Sequence, residues 1–111
     1  GTTADAIKAV KYAVDNGAKV TSNSWGSVGD DGGAESQALK DTIRYAQDRG
    51  VLFIAAAGNG DQMGKGYDND SAGNKAAVPA SYDHDIIISV AAIDEAGQFG
   101  TFSNWGARTV D

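Results

Sequence analysis

Few residues in this chain pair a reactive side chain with neighbours that would activate it. One histidine, His84, lies in Tyr82-Asp83-His84-Asp85, and there is no cysteine. Nucleophilic catalysis needs a Ser, Thr or Cys beside a base that takes its proton. No serine has Gly both two positions before and two after it, so the strand-to-helix elbow of many hydrolases is absent. His84 between two acids reads as a surface loop residue, since a single His rarely makes a metal site. Asp68-Asn69-Asp70-Ser71-Ala72-Gly73 begins like a calcium loop. Ala72 replaces one ligand there, however, and Pro79 stands where the bidentate Glu belongs, so it reads as a solvated loop. Two segments remain, Ser24-Trp25-Gly26 and Ala57-Gly58-Asn59-Gly60. Their small residues let a ligand come close to the backbone. Taken alone, Asn59-Gly60 is a common turn pair, and Ser24–Gly26 is a strand end with a core Trp.

These segments must be held by regular elements. Ile7, Val10 and Val14 recur at helical spacing within Ala4–Asn16, and Gly17 is placed to end that helix. Ala18–Trp25 reads as a strand that stops at Gly26, before a Gly/Asp-rich loop over Ser27–Gly33. A second helix is expected over about Glu35–Arg49, with Leu39, Ile43 and Ala46 as its stripe and Gly50 as its stop. Asp30 or Asp31 is expected to cap it or favour its N-terminus electrostatically. Val51–Ala57 is a continuous apolar run, the pattern of a parallel strand buried on both faces. Gly58–Lys75 is polar and Gly-rich, hence loop. Ile86–Ala92 is a third strand, Glu95-Ala96-Gly97 a turn, and Phe99–Trp105 a short extended segment. The order predicts an α/β fold, a three-layer parallel sheet with flanking helices. Ligands of such sheets bind beyond the carboxyl ends of the strands, where both Gly-containing segments fall. The first residues open on a helix edge and Thr109-Val110-Asp111 resembles a further strand. Both ends are therefore expected to be cuts through a larger domain.

The 111 residues carry a net charge of −6 and no basic run, which argues against nucleic acid as a partner. No apolar run approaches the roughly 20 residues a membrane-spanning helix needs, and no signal peptide opens the chain. No Gly-x-Gly-x-x-Gly or P-loop lysine motif leads from a strand into a helix, which ranks a nucleotide-binding domain last.

Several strings together resemble the middle of subtilisin-like serine proteases. They are Asn16–Val20, Asn23-Ser24-Trp25-Gly26, Gly50–Asn59, Val78-Pro79-Ala80-Ser81-Tyr82, Ile87–Ala92, Phe102-Ser103-Asn104-Trp105-Gly106 and Val110-Asp111. They follow the family's order and spacing over nearly the whole chain. The resemblance implies that residues 1–111 are the central part of a peptidase domain. It implies that Asn59 is the oxyanion-hole amide, and that Ser24-Trp25-Gly26 pairs with an extended polypeptide substrate and forms one wall of the S1 pocket. It implies that Ala56-Ala57-Gly58 forms the opposite wall. Trp25 stands where many relatives have Leu. Val78-Pro79 matches a bond that is often cis in the family.

The family's Asp, His-Gly-Thr-His and Gly-Thr-Ser triad motifs do not occur, so the chain alone is expected to be inert and to need the remainder of the domain. The resemblance also places a weak cation near the Ala80 and Tyr82 carbonyls. No metal or other cofactor is assigned to this chain, and calcium is left to the parent enzyme. With the acidic, cysteine-free composition, the resemblance implies a secreted bacterial enzyme. The competing expectation is a non-catalytic α/β module that binds peptides through Ser24–Gly26.

Overall fold

The computed structural model describes residues 1–28, 36–73 and 75–111. Helix α1 covers Thr3–Asp15. It starts at Thr2 because a capping box forms there: the Thr2 hydroxyl accepts the Asp5 amide at 3.2 Å, and the Asp5 carboxylate accepts the Thr2 amide at 3.0 Å. These bonds, backbone first, hold the Asp5 carboxyl below its ordinary range. Gly17, at φ 87°, turns the chain out of the helix. Strand β1 (Val20–Asn23) follows, then β2 (Ser27–Val28), α2 (Gln37–Asp48), β3 (Leu52–Ala56), β4 (Ala77–Val78) and β5 (Ile87–Val90).

The main sheet is parallel, in the order β1-β3-β5. Val20 pairs with Leu52 and Asn23 with Ala55, while Phe53 pairs with Ile87 and Ala56 with Val90. The expected α/β architecture with its parallel sheet is therefore present. Both helices pack on one face. Val10, Val14, Leu39, Ile43 and Ala46 meet Phe53 and Ala55 there in a single core. The other face of the sheet is open among the described residues, with Val20 47%, Leu52 38% and Val90 48% exposed. Two of the three expected layers are thus described. The apolar run at Val51–Ala57 alternates between covered and open positions instead of being buried on both faces.

Three sequence expectations shift. The N-cap of α2 is Ser36, whose hydroxyl accepts the Leu39 amide at 3.2 Å; Asp30 and Asp31 lie outside the described residues. Ser36→Ala should cost about 1 kcal/mol in a urea-unfolding measurement, and a change below a few tenths would show the cap to be idle. The stretch after Gly26 is not all loop, because β2 pairs antiparallel with β4 at Ser27↔Val78 and Val28↔Ala77. Phe99–Trp105 is not one extended segment; it turns at Thr101-Phe102 and supplies single bridges, Ile93↔Phe99 and Asp68↔Trp105. At the last residue, the Asp111 amide donates to the Ser89 carbonyl at 2.9 Å, so the chain runs along the free edge of β5. The Val78–Pro79 peptide is cis.

Candidate active site

Parallel pairing of β1 with β3 brings the two Gly-containing segments side by side at the carboxyl end of the sheet. Asn23 locks that end: it is 5% exposed, and its Nδ2 donates to the Ile54 carbonyl at 3.0 Å. Ser24, Trp25 and Gly26 emerge from it exposed. Between them and Ala56, Gly58 and Asn59 lies a cavity of about 210 Å³, whose lining also includes Ala77 and Asn104. The short β2–β4 ribbon sets its depth. A Cβ on Gly26 would come within 2.5 Å of the Val78 carbonyl oxygen, so only glycine permits that approach. Gly58 sits at φ 115°, where a Cβ would also meet the Asn104 side chain at 2.5 Å.

Trp25 is 36% exposed and packs edge-on against Phe53, with centroids 6.2 Å apart and planes at 88°. It lines the small cavity and also a larger one of about 530 Å³ toward the start of α1. It is therefore a divider between two cavities, and neither a core Trp nor a free one. Ala57 is placed differently from Ala56 and Gly58 with respect to the small cavity. It is 1% exposed and is absent from the lining of the small cavity, but with Ser24, Ala56, Gly58 and Asn59 it lines an adjoining one of about 300 Å³. Asn59 borders both that cavity and the small one. Among the described residues no group hydrogen-bonds the Asn59 side-chain amide, which is exposed.

The other sequence candidates lie elsewhere. His84 is half-buried, with Nε2 3.0 Å from the Lys40 carbonyl. A carbonyl only accepts, so Nε2 carries the proton, and the ring ties its loop to α2. Asp70 accepts the Thr109 hydroxyl at 2.8 Å and the Arg108 amide at 2.7 Å. The Thr109 bond does most to hold its carboxyl below the ordinary carboxylate range, against a smaller opposing effect of burial. The 68–73 loop is thus tied to 108–109 by Asp70. Among the described residues no three His, Cys, Asp or Glu converge on a common point. The Tyr82 carbonyl accepts the His84 amide at 3.0 Å, so one of the two carbonyls implied for a cation already serves its own turn.

The sequence reading missed two residues beside the site, Asn69 and Asn104, which are 5% and 1% exposed. Nothing in residue type or spacing sets them apart from loop asparagines; only their burial does.

The model of the subtilase family matches residues 1–110. The chain belongs to the subtilase family. Thermitase from Thermoactinomyces vulgaris is 35% identical over 109 residues, covering 96% of this chain and 32% of the relative. A thermophilic serine proteinase from Bacillus sp. (strain AK1) is 31% identical over 106 residues, 96% of this chain and 22% of the relative. Among solved structures, the prenylagaramide maturation protease PagA superimposes with a TM-score of 0.74 at 34% identity, over 95% of this chain and 33% of that one. The chain therefore spans about a third or less of the length of these subtilase relatives.

Proposed function

We propose that this chain is the substrate-facing part of a serine endopeptidase, with Asn59 as oxyanion donor and Ser24–Gly26 as the strand that receives an extended polypeptide. One observation carries this: the small cavity between Ser24–Gly26 and Ala56–Asn59, with the Asn59 amide at its rim and free of other partners. A peptide laid along Ser24–Gly26 would gain backbone hydrogen bonds and drop one side chain into the cavity. Ala56 and Gly58 leave that space open. The scissile carbonyl would then lie near Asn59, where an amide donor stabilises the negative oxygen of the tetrahedral intermediate.

The triad belongs to segments outside this chain. The remainder of the domain is the partner that covers the apolar sheet face at Val20, Leu52 and Val90. The chemistry needs no cofactor. Family kinship supports a secreted enzyme. Among the described residues no helix is long and apolar enough to cross a membrane.

The test compares the full-length protein with the isolated chain. The full-length protein should cleave extended peptides, and a fluorophosphonate probe should label one serine outside residues 1–111. The isolated chain should show neither turnover nor labelling. Labelling of a serine within 1–111 together with turnover would sink the proposal. The competing reading is a non-cleaving module that binds peptides through Ser24–Gly26. Saturable peptide binding without cleavage by the full-length protein would select it.

A further inference from the structure

The turn that carries Asn59 is pinned on both sides by two buried amides from distant segments. Before it, the Ala57 carbonyl accepts Nδ2 of Asn69 at 2.9 Å. After it, the Gly60 amide donates to Oδ1 of Asn104 at 2.9 Å. The Asn104 backbone amide donates to the Gly58 carbonyl at 3.0 Å. The two side chains are joined, Asn104 Nδ2 donating to Asn69 Oδ1 at 3.1 Å. The second acceptor position of each oxygen is also used. Asn104 Oδ1 accepts the Tyr67 amide at 3.3 Å, and Asn69 Oδ1 accepts the Ala77 amide at 3.4 Å. Each amide therefore meets donors with its oxygen and an acceptor with its nitrogen, which fixes the orientation of both groups.

We infer that Asn104 and Asn69 are positioning residues that hold Asn59 in place for catalysis, an inference that rests on the oxyanion role proposed above. Neither bonds the Asn59 side chain. They fix the backbone at 57, 58 and 60 and leave the amide between them free to face the cavity. A donor that stabilises charge only as it develops works best when it is already aimed, because nothing then has to reorganise during the reaction. Two strands alone would not achieve this: β3 ends at Ala56, and the three residues that follow have no ladder partner beyond the Ala57 amide, which donates to Val90 at 2.9 Å. Gly58 is what lets Asn104 come so close, as its missing side chain leaves room for the Asn104 amide.

The experiment uses the full-length protein, with kcat and KM measured on an extended chromogenic peptide. Each variant is normalised to active sites by fluorophosphonate titration. Asn104→Ala should lower kcat between about ten- and a hundredfold, because small misplacement of a catalytic group has effects of that size, with KM within about twofold. Asn69→Asp keeps the shape and the accepting oxygen, but puts an ionised carboxylate oxygen against the Ala57 carbonyl where the donor stood; it should lower kcat in the same direction and serves alone if Asn104→Ala does not fold. Both losses should vanish in an Asn59→Ala background, because residues that act through Asn59 have nothing left to position. Unchanged kcat in both variants, while Asn59→Ala still lowers it, overturns the inference and leaves the oxyanion role standing. Losses of equal size with and without Asn59 also overturn it, since they mark a general structural role. Unchanged kcat in Asn59→Ala overturns the oxyanion role itself and this inference with it.

Discussion

Asn59→Ala in the full-length protein should lower kcat by about two to three orders of magnitude and leave KM within about twofold. The size is that known for an oxyanion-hole amide in subtilisin and is carried over to this relative. The direction follows from the geometry. The amide has no other partner among the described residues, so its loss leaves no group stranded and no packing void. The ground-state carbonyl carries little charge and gains little from the donor. The tetrahedral intermediate carries a full negative charge on that oxygen and gains about 3–4 kcal/mol from it. An effect confined to the charged state appears in kcat and not in KM. Asn59→Asp sharpens the test. It keeps the shape but replaces donor with acceptor, and an ionised carboxylate repels the developing charge, so its kcat should fall at least as far as that of Asn59→Ala. Steady-state kinetics on an extended peptide decide the matter; a loss below tenfold in both variants would remove Asn59 from the mechanism.

The legible parts of this fold were those with a period. Ile7, Val10 and Val14 announced α1, Leu39, Ile43 and Ala46 announced α2, and both helices pack through those residues. β3 and β5 also stood where the apolar runs lie, and β1 where Val20 and Thr21 marked a strand. What escaped has no period to read. The ribbon of β2 and β4 is two residues long on each side, yet it closes the small cavity through Gly26 and Val78. The side on which Ala57 falls depends on where β3 starts its alternation, and a run of alanines hides that phase. Burial on one face only could not be read from Val51–Ala57, since Leu52 and Ile54 are as apolar as Phe53. The site was half legible. Asn59 and Ser24–Gly26 were marked by family resemblance and by their place at strand ends. Asn69 and Asn104 were invisible because an asparagine that clamps a turn and one that faces water have the same sequence signature.

Phe53→Ala should be the most destabilising single change in the described core, and it should reach the site. Phe53 is 0% exposed on the central strand, on the face that meets the two helices. Truncating a buried Phe costs about 3–5 kcal/mol, from lost transfer energy and the cavity left behind. That is a large share of the roughly 5–15 kcal/mol that holds a typical domain folded, so the unfolding midpoint in urea should fall sharply. Phe53→Leu fills most of the volume and should cost far less, which separates packing from the aromatic contact.

That contact carries the second half of the prediction. Trp25 rests edge-on against Phe53, and such pairs contribute about 0.5–1.5 kcal/mol beyond their area. In Phe53→Leu the fold survives but the indole loses its seat, so the wall between the two cavities loosens. Peptides with a bulky side chain for the small cavity should show a raised KM, with kcat less affected. A double-mutant cycle of Phe53→Leu with Trp25→Leu should give a coupling of about 1 kcal/mol in KM. Zero coupling would mean that Trp25 is held by its own backbone. In that case the core under β3 supports the sheet alone, and the shape of the peptide cleft is set entirely by the β2–β4 ribbon.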